Sequence, residues 1–179
     1  TSLEANETWD LIERPKGQKT IGCRSLFKRK AGIAGVEPPR HKARLVAKGY
    51  SQTEGIDYQE IFAPVVKYVS IRFILLAVTH FDMELQQMDV KTAFLHGNLD
   101  EFIVMEQPEG FVDKRYPNRV CKLKRSLYGL KQSPRQWNKR FDDFVRSKGY
   151  TRSKYDSCVY FQKNKQGEYV YMLLYVDDI

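Results

Sequence analysis

Three aspartates fall where they could do metal chemistry. Tyr175-Val-Asp-Asp178 sets two adjacent acids directly after the apolar run that begins at Glu168. The aromatic and β-branched content of that run predicts a strand buried on both faces. A third acid, Asp89, closes a second predicted strand, Glu84–Val90, and a helix-like run follows it to His96. Carboxylates at the ends of two neighbouring strands would converge on a hard cation. One or two Mg²⁺ ions shared between such carboxylates and a substrate's phosphates are the usual arrangement for phosphoryl and nucleotidyl transfer. Asp-Asp is also an ordinary turn dipeptide, so these residues alone leave a plain hairpin turn open.

Charge patterning sets the surroundings of the acids. The chain has 179 residues with 30 Lys and Arg against 22 Asp and Glu, a net charge of +8. The excess is uneven. Residues 1–60 carry +3, 61–113 carry −5, 114–165 carry +13 (16 basic side chains against 3 acidic) and 166–179 carry −3. Both acid motifs therefore sit in net-negative stretches flanked by cationic ones, as a polyanion-binding surface around an acidic centre requires. Unevenly scattered, solvated lysines would look the same. At 42% hydrophobic and 13% aromatic, the composition excludes a disordered basic tail. No apolar run approaches the roughly 18–20 residues of a membrane span, and no secretory leader is expected. Cys23, Cys121 and Cys158 are odd in number and lack metal-ligand spacing with the histidines. They read as reduced thiols in the cytosol or nucleus.

The elements that must position the acids are legible in outline. Gly22–Lys30 and Lys42–Lys48 read as strands of a long basic hairpin, joined by the Gly- and Pro-containing loop Ala31–Pro39. In the second strand Lys42, Arg44 and Val46 share one face. Ser70 is the predicted N-cap of a helix whose stripe Ile71, Ile74, Leu75, Val78 and Phe81 reads as core. Phe102–Met105 is a further short strand. Ser133 as N-cap, Pro134 at the first helical position, the apolar face Trp137, Phe141, Phe144 and Val145, and Gly149 as terminator define a second helix. Its other face carries Arg135, Lys139, Arg146 and Lys148, which either track a nucleic-acid backbone or are merely solvated. The fold class is α+β, with strands at the start and end and helices between.

Seven segments in order resemble the reverse transcriptase domain of copia-type long-terminal-repeat retrotransposon polyproteins. They are Thr8-Trp-Asp-Leu11, Lys42-Ala-Arg-Leu-Val-Ala-Lys-Gly-Tyr-Ser-Gln52, Phe62-Ala-Pro-Val65, Gln87-Met-Asp-Val-Lys-Thr-Ala-Phe-Leu-His-Gly97, Gln107-Pro-Glu-Gly-Phe111, Ser126-Leu-Tyr-Gly-Leu-Lys-Gln-Ser-Pro-Arg-Gln-Trp137 and Tyr175-Val-Asp-Asp178. The resemblance implies the fingers and partial palm of a right-hand polymerase, with an antiparallel palm sheet backed by helices. Residues 7–66 and 97–132 would be fingers, and 67–96 and 133–179 palm. The implied activity is RNA-directed DNA synthesis on a template-primer from deoxynucleoside triphosphates, in a cytoplasmic virus-like particle with a possible nuclear phase.

The resemblance makes Asp89 and Asp177 the main ligands of two Mg²⁺ ions (Mn²⁺ as a substitute), with the Val90 carbonyl as a further ligand and Asp178 in support. It puts Phe94 under the incoming sugar as a steric gate against a 2′-hydroxyl. Arg44 or Lys42 would meet the triphosphate. Tyr128, Gly129 and Lys131 would lie beneath the nucleotide and template base, and Arg135, Lys139 and Arg146 along the nucleic acid. Cys23-Arg-Ser-Leu-Phe27 departs from the Trp-containing strand usual in the family, and the tip Ala31–Pro39 is unusual. In the family the second hairpin strand, primer grip, thumb and RNase H follow the Asp-Asp motif, whereas this sequence stops at Ile179. The chain alone is therefore expected to be weakly active or inactive, with no processive synthesis, and to present an exposed apolar sheet edge. The rival expectation is a nucleic-acid-binding module without catalysis.

Overall fold

The computed structural model describes residues 2–32, 35–36 and 38–179. Positions 33, 34 and 37 of the predicted tip loop lie outside the described residues. Mixed α/β structure is arranged as three antiparallel sheets and two long helices. After the short α1 (Ser2–Ala5), β1 (Trp9–Ile12) pairs with β5 (Val120–Leu123), which also pairs with β4 (Val104–Met105). The basic hairpin is β2 (Cys23–Lys30) on β3 (Arg40–Ala47), and its register puts Lys28 opposite Lys42 and Leu26 opposite Arg44. α2 (Tyr68–His80) and α3 (Ser133–Ser147) follow in chain order. The last sheet is β6 (Thr151–Arg152), β7 (Val159–Lys163) and β8 (Tyr169–Leu173). Among the described residues no helix is long and apolar enough to cross a membrane.

Two apolar cores meet at one short element. Ile21, Ala47, Leu95, Ile103, Met105, Cys121, Leu123, Leu127 and Leu130 fill the first, beneath β1, β4, β5 and the base of the hairpin. Ala93, Trp137, Phe141, Val145, Tyr160 and Leu174 fill the second, between α3 and the last sheet. The 3-10 helix Ala93–His96 belongs to both, sending Leu95 into the first core and Ala93 into the second. Gly97 ends it against α3, where an added Cβ would lie 3.0 Å from Gln136 Cβ and 3.1 Å from the Trp137 nitrogen. The run that follows Asp89 is thereby seated on the first turns of α3.

Several expectations are corrected. α2 starts at Tyr68 with Lys67 as N-cap residue, and Ser70 lies inside it. The capping comes from Asp156, which accepts the Lys67 backbone N–H at 2.9 Å and the Ser70 hydroxyl at 2.6 Å. The predicted stripe is not core. Ile71, Ile74 and Val78 are half-buried, while Leu75 is 46% and Phe81 70% exposed. Periodicity shows that residues share a face, but a partner must still cover it. Glu84–Val90 is not a regular strand and pairs only near its end. Of the predicted strand at 102–105 only Val104–Met105 forms. β8 is an edge strand with Tyr169, Val170 and Tyr171 exposed, not buried on both faces. In α3 the N-cap residue is Gln132, and the Ser133 hydroxyl donates to the Leu127 carbonyl at 2.6 Å. Phe144 is 51% exposed, whereas Trp137, Phe141 and Val145 are buried. Gly149 ends the helix at φ +90° as expected.

Candidate active site

Backbone pairing assembles the acids. The chain reverses at Tyr175–Asp178, where the Tyr175 N–H donates to the Asp178 carbonyl at 2.8 Å and the Asp178 N–H returns to the Tyr175 carbonyl at 3.0 Å. The reversed end then lies antiparallel to residues 88–90. Met88 and Ile179 exchange hydrogen bonds at 2.9 and 2.8 Å, and the Val90 N–H donates to the Asp177 carbonyl at 2.8 Å. Asp89 and Asp178 are consequently direct cross-strand partners. In a non-hydrogen-bonded antiparallel pair of this kind the Cα atoms are about 4.5 Å apart and the side chains share a face. Gln87 Nε2 donates to Asp178 Oδ1 at 3.4 Å.

Backbone strain flanks both acid motifs. Thr92 stands at φ +57° and Val176 at φ +59°, in the left-handed region that β-branched residues rarely adopt. Such outliers collect at functional sites and persist where surrounding structure over-determines them. Trp137 Nε1 donates to the Val176 carbonyl oxygen at 2.6 Å.

The aromatic and cationic candidates gather beside the acids. Phe94 and Tyr128 rings pack with centroids 4.6 Å apart, and the Arg44 guanidinium lies 6.0 Å from the Tyr128 centroid. Burial raises the Tyr128 phenol above its ordinary pKa, the charges of Asp177 and Asp89 raise it further, and Arg44 opposes them. Lys42 is pushed below the ordinary lysine range, first by the charge of Arg44, then by burial, Lys30 and Arg40, while Asp89 pulls it back up. By strand alternation Lys42 lies on the same face of β3 as Arg44.

The hairpin is bolted in place through glycines. The Ala47 N–H donates to the Tyr128 carbonyl at 2.8 Å. Gly129, at φ +92°, leaves no room for a Cβ, which would overlap the Ala47 carbonyl oxygen and lie 2.8 Å from Val46 Cγ1. Below it, buried Gln52 donates to Gln132 Oε1 at 2.9 Å and accepts the Lys131 N–H at 2.8 Å, and Gln132 donates to the Asp57 carbonyl at 2.8 Å.

The structure thus brings together Asp89, Val90, Asp177, Asp178, Phe94, Tyr128, Gly129, Lys42 and Arg44. Lys131 is engaged elsewhere, its Nζ 3.1 Å from the Tyr58 hydroxyl. On α3, Arg135 pairs with Glu60, Lys139 with Asp100 at 3.8 Å and Arg146 with Asp142 at 3.6 Å. Gln87 and the indole N–H of Trp137 were not singled out by sequence pattern. A buried tryptophan's need for a hydrogen-bond acceptor was the available signal for the second.

For a metal, the donor set is hard oxygen only. Among the described residues no Lys or Arg lies within 4.0 Å ion-pair distance of Asp89, Asp177 or Asp178. Nor do three or more His, Cys, Asp or Glu side chains among the described residues form a ready-made cage. An open set of one or two carboxylates suits Mg²⁺, which keeps waters and takes further ligands from substrate phosphates.

Fold and site define a mixed α/β chain in which a hairpin turn carrying Asp177 and Asp178 pairs with the segment that carries Asp89. Residues 6–179 match the family described as reverse transcriptase (RNA-dependent DNA polymerase), and the chain belongs to it. It is 51% identical over 178 residues to the retrovirus-related Pol polyprotein from transposon TNT 1-94 of Nicotiana tabacum, covering 99% of this chain and 13% of that protein. It is 46% identical to the Pol polyprotein from transposon RE1 of Arabidopsis thaliana, covering 97% of this chain and 12% of the relative, and 44% identical to that from RE2. The chain thus spans about an eighth of these polyproteins' length. No solved structure matches.

Proposed function

We propose that the chain carries the nucleotidyl-transfer site of an RNA-directed DNA polymerase of a retrotransposon, adding deoxynucleotides to a primer 3′-hydroxyl on an RNA or DNA template. The observation that carries this reading is the backbone pairing that sets Asp89 opposite Asp178, with Asp177 in the same turn, beside Phe94, Tyr128 and Arg44. The division into fingers (7–66, 97–132) and palm (67–96, 133–179) is supported by the two cores and their seam at Ala93–His96.

In this reading Asp89 and Asp177 hold two Mg²⁺ ions, with the Val90 carbonyl and Asp178 in support. Bound there, the ions supply charge stabilisation to the attacking hydroxyl and the departing pyrophosphate. Lys42 and Arg44 neutralise the triphosphate. The Phe94 ring, braced by Tyr128, closes the space a 2′-hydroxyl would need, and a steric clash is an effective way to reject a near-isostere. Tyr128 and Gly129 lie under the nucleotide. Arg135, Lys139 and Arg146 follow the nucleic-acid backbone by exchanging Glu60, Asp100 and Asp142 for phosphates. The Glu60 and Asp100 pairs are exposed on both sides, and such pairs are worth at most about 1 kcal/mol, so exchange there is cheap. Thumb and RNase H belong to the remainder of the polyprotein.

The test is single-nucleotide incorporation by the full chain, in excess over an RNA template with a DNA primer, with and without Mg²⁺. Mg²⁺-dependent addition is expected, falling by about 10²–10³ in Asp89→Asn and Asp177→Asn, by analogy with other losses of transition-state charge stabilisation. Template-primer binding should survive both changes and weaken steeply with salt. Full activity in either variant overturns the reading. A wild-type chain that binds template-primer but adds nothing, with the same result for the parent polyprotein, also overturns it and leaves a binding module.

A further inference from the structure

The turn that presents Asp177 and Asp178 is held in a conformation its own sequence disfavours. Tyr175 and Asp178 close a two-residue hairpin loop, and φ is positive at Val176 but not at Asp177. That is the type II′ pattern, whose first central position favours glycine. Valine is a poor occupant, because its branched Cβ meets the following backbone there. Something outside the turn must select this geometry.

Among the described residues, a single side chain bonds the turn's central peptide. The Trp137 indole N–H donates at 2.6 Å to the Val176 carbonyl, and a flip of that peptide is what converts one hairpin turn type into another. The flip would move Asp177, which follows directly. Trp137 itself is fixed. It is 6% exposed, packs on Phe141 with ring centroids 5.7 Å apart, and shares its core with Ala93 and Leu174. The backbone around Gln136 and Trp137 also receives Gly97, at the end of the short helix after Asp89. One turn of α3 thus touches both acid-bearing segments.

We propose that Trp137 is a positioning residue whose indole N–H holds the central peptide of the Tyr175–Asp178 turn, and so fixes Asp177 and Asp178 relative to Asp89. This role rests on the assignment of those acids as the catalytic set, but its effect on the turn is separately measurable.

The experiment is a double-mutant cycle in the full chain with Trp137→Phe and Val176→Gly. The first keeps a ring and removes the N–H, and the second lets the turn adopt positive φ unaided. Hydrogen exchange of the Tyr175 and Asp178 amides is the activity-independent readout. Trp137→Phe is expected to speed it about tenfold, the net worth of one hydrogen bond, while β7 and mid-α3 amides keep their protection. In the Val176→Gly background the same change should accelerate exchange less than about threefold. Phe141→Leu loosens the same core with the N–H in place and should leave the turn amides protected. In single-nucleotide incorporation, Trp137→Phe should lower kcat with KM for the deoxynucleotide unchanged, and Val176→Gly should restore part of the loss. Equal acceleration in both backgrounds, or equal loosening by Phe141→Leu, would reduce Trp137 to packing and overturn the proposal. The expected exchange pattern together with full activity in Asp177→Asn would instead reject the catalytic assignment and keep the hold on the turn.

Discussion

Replacing Gly129 by alanine probes how the β2–β3 hairpin is fastened to the site. The new methyl meets two separate penalties. Gly129 stands at φ +92°, and a left-handed backbone costs an L residue about 1–2 kcal/mol. The Cβ would also overlap the Ala47 carbonyl oxygen and lie 2.8 Å from Val46 Cγ1 and 3.1 Å from the Ala47 carbonyl carbon. Two of these are backbone atoms, so no flexible side chain can swing away, and overpacking of this kind costs about 1–3 kcal/mol. Relief requires β3 to shift and stretches the 2.8 Å bond from the Ala47 N–H to the Tyr128 carbonyl, about 1 kcal/mol more. Together these give about 3–6 kcal/mol, or a Tm lowered by roughly 6–24 °C for a chain of this size. Gly110 is the internal control, at φ +81° with nothing within 4 Å of its Cβ position. Gly110→Ala should show the backbone penalty alone, about 1–2 kcal/mol. Urea unfolding followed by tryptophan fluorescence gives both values, and a Gly129→Ala chain as stable as Gly110→Ala would refute the packing argument.

Asp156 offers a pH-dependent counterpart. Burial works to raise its carboxyl, but hydrogen bonds from the Ser70 hydroxyl and the Lys67 and Cys158 amides, with the Lys67 charge, leave it below the usual range. Its stabilising effect is therefore present above the unfolded-state pKa of about 3.9 and lost as pH falls through the lower folded value. Asp156→Asn is expected to cost about 1–2 kcal/mol at pH 7, as loss of a helix cap does, with the gap to wild type shrinking below pH 4. A gap that stays constant in urea titrations from pH 7 to pH 3 would rule out the carboxylate's role. The thiols give a third check. Burial pushes Cys121 up to about 12 and Cys158 up to about 11, while Cys23 is half-buried and raised less. Iodoacetamide at pH 7.5 should modify Cys23 slowly and leave the other two more than about 100-fold slower until urea is added, because only the thiolate attacks. Rapid native alkylation at Cys121, read by peptide mass, would contradict the buried core around it.

The acids were singled out by the ordered motifs of the family resemblance, because an Asp-Asp pair after an apolar run reads equally well as a turn. The two strands of the hairpin and the end of α3 at Gly149 were legible, since alternation and turn chemistry act between near neighbours in the chain. What failed depended on distant residues. Ser70 looked like a cap because nothing nearby reveals Asp156, 86 positions along, as the carboxylate that takes the job. The stripe on α2 was read correctly as a face, but coverage is a tertiary property, and Leu75 and Phe81 stay exposed. The basic side of α3 looked free, yet Glu60 and Asp100 from distant segments meet Arg135 and Lys139 in space.

Residue types and their order determined the family, because ordered motifs are a property of the covalent sequence itself. Only the tertiary structure decided that Asp89 pairs across the backbone with Asp178, that Gly129 admits the hairpin base, and that an indole on α3 grips a strained valine peptide. Each of these is a contact between segments tens of residues apart, and it exists only once burial of the two cores has brought the segments together.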